Sequence, residues 1–98
     1  MDPDLLILED ANAAVMAIDR KYRRADFNMK RKLKKERNKV FNAYAKARLK
    51  LLEEGIITSD QDVTEMKAIR QEIARARQTQ SILAGVGRLV KFLTKLAI

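Results

Sequence analysis

The 98-residue chain has no cysteine, no histidine and no tryptophan, and it has one proline and three glycines. Without cysteine it cannot form disulfides or thiolate metal sites, and without histidine it lacks the other common ligand of zinc, iron and copper. The absence of cysteine fits a reducing compartment. A domain this small buries a limited share of its surface, so we expect self-association to supplement its stability.

Side chains that could carry catalysis are equally scarce. Apart from the missing histidine and cysteine, serine occurs only at Ser59 and Ser81, and Ser59 is better explained as a helix cap. The acidic segment 60–65 lacks the glycine and later ligands of an EF-hand, and Gly85-Val86-Gly87 lacks the third glycine of a dinucleotide site. These two glycines instead predict close helix packing or a bend. We expect no enzymatic activity, no cofactor and no metal.

Membrane and targeting signals are also missing from the sequence. Wholly apolar runs such as residues 5–8 and 13–18 are far too short to cross a bilayer. The start Met1-Asp2-Pro3-Asp4 is acidic, whereas a signal or transit peptide starts with positive charge. We therefore expect a cytoplasmic protein, or one within a viral particle assembled in the cytoplasm.

Helix-forming residues are abundant. No glycine or proline interrupts residues 4–54, while Pro3 and Asp2 suit a helix start. A turn at residues 55–59, with Gly55 in the left-handed conformation and Thr58 or Ser59 as a cap, would lead into a second helix over about 60–97. The predicted fold for residues 1–98 is a single all-α domain, a long antiparallel helical hairpin with a first helix of roughly 75 Å. A fold-back near residues 26–28, giving three helices, is the alternative.

Apolar residues in the first predicted helix recur every eleven positions, or 3.67 residues per turn. Such a repeat stays on one side of a straight helix and predicts a coiled-coil-like packing stripe, whereas an ordinary amphipathic helix with a drifting stripe is the alternative. The two clearest rows are Ile7, Ile18, Met29, Val40 and Leu51, and Ala11, Tyr22, Leu33 and Tyr44.

The second predicted helix is shorter than the first, so residues 5–15 would overhang the hairpin without an apolar partner in the same chain. An uncovered apolar end needs a neighbour. The apolar face of the C-terminal helix offers one, which predicts a homo-oligomer. The expected interface residues are Leu5, Leu8, Val15, Leu83, Val86, Leu89, Val90, Leu93 and Leu96.

Positive charge is concentrated in one block. The chain has 21 basic and 13 acidic residues, a net charge of +8, and residues 20–39 alone carry +9 from eleven basic and two acidic residues. Segments 1–19 and 53–65 contain acids and no bases, while Arg70, Arg75 and Arg77 would add to the positive field in the hairpin. A field of this strength attracts polyanions.

Nucleic acid is the polyanion that the sequence favours, because a basic helix about 30 Å long can follow phosphates and release their counterions. Tyr22, Phe27, Phe41 and Tyr44 could stack on bases, but two of them fall on the apolar stripe, which favours packing. The predicted DNA or RNA contacts are Arg20, Lys21, Arg23, Arg24, Lys30, Arg31, Lys32, Lys34, Lys35, Arg37 and Lys39.

Two other functions remain open at this stage. A structural or assembly subunit, for example of a virion, could pair its basic block with an acidic protein surface or with the acidic ends of neighbouring copies. The other function is membrane binding. Segment 82–98 has basic residues on one face and apolar residues on the other, so it could lie on an anionic membrane surface.

Overall fold

The computed structural model describes residues 2–55 and 58–97, which form four α-helices and no strand. The principal extents are 40 × 21 × 17 Å, so the predicted rod of 75 Å is wrong although the all-α class is confirmed. Residues 56 and 57 of the predicted turn lie outside the described residues. The helices are α1 (Pro3–Arg24), α2 (Phe27–Glu53), α3 (Asp60–Arg75) and α4 (Thr79–Ala97).

The helices form a bundle in which α1 and α4 each contact both α2 and α3, while α2 and α3 lie across the diagonal within the described ranges. Helices α1 and α3 run parallel, because Thr58 Oγ1 donates to Asp4 at one end (2.7 Å) and Lys21 Nζ donates to the Ala76 carbonyl at the other (2.8 Å). The fold therefore differs from the two-helix hairpin that the sequence predicts.

The first departure from that hairpin is a break at Ala25 and Asp26. Both residues are extended, and the Asp26 carboxylate accepts a hydrogen bond from the Met29 amide (2.8 Å), which caps α2. Aspartate is among the best N-cap residues, so a helix can start here without glycine or proline. The continuous helix over 4–54 is thus wrong, and the break falls where the alternative prediction places one.

The second break, at residues 76–78, was not predicted. The Ala76 amide donates to the carbonyls of Glu72 and Ile73, which ends α3, and the Ile82 amide donates to the Gln78 carbonyl as α4 begins. The Ala76 carbonyl accepts a hydrogen bond from the side chain of Lys21 in α1. Because one of these bonds comes from a residue 55 positions away, local sequence gives little sign of the break.

The predicted helix ends at the other side of the bundle are confirmed. Asp2 accepts from the Asp4 amide to cap α1, and Ser59 and Asp62 form a reciprocal capping box at the start of α3. Gly55 follows α2 with φ of +71°, the left-handed conformation that favours glycine.

The eleven-residue rows point into the core on both sides of the first break. Ile7, Ile18, Val40 and Leu51 are buried, and Met29 packs against them half-buried. The repeat therefore identified core residues correctly. Its register is kept because α1 and α2 both face the same interior after the chain folds back.

That fold-back also supplies intrachain partners to the residues predicted to form an oligomer interface. The prediction rested on an overhang that the bundle does not have. Only Leu5 remains well exposed, at 47%. Of the others, Val15, Val86, Leu89, Leu93 and Leu96 are buried in the chain's own core, while Leu8, Leu83 and Val90 pack half-buried against it.

Helix α4 buries its apolar face in the bundle, with Ile82, Leu89 and Phe92 among the buried residues. This face is the one that the membrane-surface alternative would place on lipid. Binding a membrane in that way would require α4 to leave the core. No helix in the described part of the chain is long and apolar enough to span a membrane.

Candidate nucleic-acid interface

Folding back at Asp26 gathers the basic block at one end of the bundle. This basic end, residues 20–35 and 75–79, is where α1 and α3 finish and α2 and α4 begin. The block is therefore not a line of about 30 Å as the sequence predicts: its part in α2, residues 27–39, is about 18 Å long, and residues 20–24 lie beside it at the end of α1.

Two of the predicted contacts hold the fold together instead. Lys21 donates to the Ala76 carbonyl, as described above. Arg37 donates through Nε and Nη2 to Asp19 Oδ1, each at 2.8 Å, and its guanidinium lies 4.9 Å from the ring centre of Tyr22 and 4.7 Å from that of Phe41. A guanidinium that pairs with a carboxylate and lies over two rings stabilises the fold.

Asp19 is the partner that the sequence interpretation missed. It is the buried acidic residue of α1, 6% exposed, and it also accepts from Arg23 Nη2 at 2.7 Å. The spacing of four residues between Asp19 and Arg23 was a usable signal for this ion pair. Its link to Arg37, eighteen residues away, exists only because α1 and α2 pack together.

The two acidic residues within the basic block, residues 20–39, already have partners in the protein. Asp26 caps α2, and Glu36 makes an exposed contact of 3.4 Å with Lys39, a type of pair that contributes little. Of the eleven predicted contacts, seven make no hydrogen bond or ion pair through their side chains to the described chain, and six of these seven are exposed. The seven are Arg20, Arg24, Lys30, Arg31, Lys32, Lys34 and Lys35.

Two further cations join this surface from the corner between α3 and α4. Arg75 and Arg77 are exposed, and Arg77 lines a depression together with Lys21 and Arg24. Although their positive charge was noted in the sequence, they were not among the predicted contacts. The second break, which the sequence did not show, is what turns Arg77 toward the end of α1.

Negative charge collects at the opposite end of the bundle. This acidic end comprises residues 2–10, 53–54 and 60–65, and it contains the starts of α1 and α3 and the end of α2. Arg70 reaches Asp10 there at 3.4 Å. Since the two kinds of charge occupy opposite ends, the positive field of the basic end is only weakly cancelled within one molecule.

Comparisons of the chain with protein-family models, with curated proteins and with solved structures found no match. Among the described residues no cluster of three or more acidic side chains could hold a metal ion. The chemistry of the basic end itself is thus the basis for assigning a function.

Proposed function

We propose that the protein is a non-catalytic binder of polyanions, most specifically of DNA or RNA, and that the basic end of the bundle is its binding surface. The observation that carries this proposal is the group of seven cations that have no acidic partner in the described part of the chain, extended by Arg75 and Arg77. Like charges held this close repel one another in the folded protein. Phosphates along a nucleic acid would relieve that repulsion and would release condensed counterions.

The salt dependence of binding provides a quantitative test of the proposal. If all seven cations meet phosphates, the logarithm of the binding constant should fall with the logarithm of salt concentration with a slope of about −6 for duplex DNA and about −5 for a single strand. A slope this steep distinguishes phosphate contacts from binding through apolar surface.

The experiment compares two variants with the same change in net charge. The first replaces Arg24, Lys32, Lys34 and Lys35 by alanine, all of them exposed cations of the basic end. The matched control replaces Lys46, Lys67, Lys91 and Lys95, which are also exposed but lie elsewhere on the bundle. Fluorescence anisotropy with labelled duplex and single-stranded probes over a salt series measures both affinity and slope.

For duplex DNA, we expect the slope of the basic-end variant to be less negative than the wild-type slope by about 3–4. The slope of the control variant should equal that of wild type. Circular dichroism should show that both variants remain helical, since none of the replaced side chains is buried. Equal losses in the two variants would show that only total charge matters. Absence of binding at low salt would refute the proposed function.

A second candidate function, structural self-assembly, is favoured by a separate observation. Leu49 and Leu52 of α2 are 57% and 58% exposed and line a depression with Phe41 and Tyr44. A second copy packed antiparallel on this face would bring the same apolar residues together. It would also place the acidic end of each copy beside the basic first half of the other copy's α2.

Sedimentation velocity over a concentration series tests the assembly. The double variant Leu49→Gln and Leu52→Gln should remain monomeric where the wild type associates, and Met16→Gln, which changes an exposed apolar residue of α1, should behave as wild type. A wild type that is monomeric at every concentration would exclude this candidate. It would leave nucleic-acid binding unaffected.

A further inference from the structure

Phe27 is the most exposed large apolar side chain in the described chain, at 75%, against 58% for Leu52. It is the first residue of α2, directly after the Asp26 cap, and it is not packed against the core. The first position of a helix accepts many polar residues, so neither the helix nor the core explains an aromatic ring in water.

The surroundings of Phe27 are those of a nucleic-acid contact. The Arg31 guanidinium lies one helical turn further on, 6.0 Å from the ring centre. Asn28, Arg31 and Lys32 line a depression on the same first turns of α2. The first turns of α2 therefore present an aromatic face, an amide and two cations, which can take a base, a base edge and phosphates respectively.

We propose that Phe27 stacks on an unpaired base and that the nucleic acid bound at the basic end is single-stranded DNA or RNA, an inference that rests on the proposed function. The bases of a duplex are already stacked on both faces, so inserting a ring between them costs unstacking energy that stacking on an unpaired base does not. The cations around it bind phosphates of either form, whereas the ring distinguishes the two. Phe27 is therefore the residue that sets the preference.

The affinity test compares wild type with Phe27→Ala on a short oligothymidylate and on a duplex of equal length at one salt concentration. The alanine variant should bind the single strand about 5- to 150-fold more weakly, the range expected for losing one stacked base. Affinity for the duplex should change less than twofold. Phe27→Tyr should restore binding of the single strand, because it retains the aromatic face, and Phe27→Leu should not. Met16→Ala, at an exposed apolar residue of α1 outside the basic end, is the matched control and should leave both affinities unchanged.

A spectroscopic test follows from the absence of tryptophan in the chain. In the variant Phe27→Trp the new indole is the sole tryptophan, and oligothymidylate should quench its fluorescence because a base stacks on it. The same reporter placed at Met16, an exposed apolar residue of α1 outside the basic end, should respond little. Quenching at both positions, or at neither, would overturn the stacking assignment.

The outcomes separate this inference from the proposed function. Binding of both nucleic acids with no effect of Phe27→Ala would overturn the stacking site and leave the basic end as a binding surface. An equal loss on both probes would show that the ring acts as a wedge in duplexes and would also overturn it. Failure of the wild type to bind either probe would refute both proposals.

Discussion

Replacing the two glycines of α4 by alanine, one at a time, should stabilise the protein at Gly87 but not at Gly85. In a helix interior this replacement alone stabilises by about 1 kcal/mol. At Gly87, which is exposed, an added Cβ meets no atom of the described residues within 4 Å. Gly85 is buried where α4 packs against α3, and an added Cβ there would lie 2.9 Å from Ile73 Cγ1 of α3. The same chemical change is thus made in open space at one site and in a packed core at the other.

The expected magnitudes follow from these contacts. Gly87→Ala should raise the free energy of unfolding by about 0.5–1 kcal/mol, and its melting temperature by roughly 2–8 °C. At Gly85 the new methyl approaches closer than the 3.5–4.0 Å optimum for carbon atoms, and such overpacking costs about 1–3 kcal/mol. After the helical gain is subtracted, Gly85→Ala should be neutral to destabilising, by up to about 2 kcal/mol.

Urea denaturation followed by circular dichroism measures both effects, and a double-mutant cycle assigns their cause. In the background Ile73→Ala, which removes the Cγ1 atom, Gly85→Ala should become stabilising, like Gly87→Ala. This coupling is expected only if the side chain of Ile73 occupies the space beside Gly85. Equal stabilisation by the two glycine replacements in the native background would refute the close approach of α3 and α4.

Two further predictions concern residues that hold the basic end together. Asp19→Ala should lower the free energy of unfolding by about 1.5–3 kcal/mol, because Arg37 loses its carboxylate partner, whereas the exposed Glu36→Ala should change it by less than about 0.5 kcal/mol in the same urea titration. Asp26→Ala removes the cap of α2, so it should lower the free energy of unfolding by about 1 kcal/mol and speed hydrogen exchange at the Met29 amide. Asp26→Ser should retain most of the stability and most of the exchange protection. Unchanged exchange in the alanine variant would contradict the cap.

Much of the local structure could be predicted from the sequence. The caps at Asp2 and Ser59 and the left-handed Gly55 follow from residue types whose effects act within a few positions. The eleven-residue repeat identified Ile7, Ile18 and other core residues, because burial of one helix face depends on periodicity. The concentration of positive charge in residues 20–39 is likewise a property of the sequence alone.

The path of the chain was decided by tertiary structure. Residues 4–54 contain no helix breaker, and the propensity differences among ordinary residues are below about 0.7 kcal/mol each. Burying one large apolar side chain contributes about 1.5–3 kcal/mol, so breaks at Ala25–Asp26 and at residues 76–78 are favoured once they let four helices share a core. Five of the nine residues predicted to form an oligomer interface became core residues for the same reason.

The candidate binding surface shows the same division. That the middle of the chain is basic follows from the residue types, since charge is a property of each residue. The fold is what gives Lys21 and Arg37 hydrogen-bond partners within the chain and brings Arg77 and Arg24 into one depression. Ion pairs and hydrogen bonds act over a few ångströms, so their partners are known only when the fold has brought distant residues together.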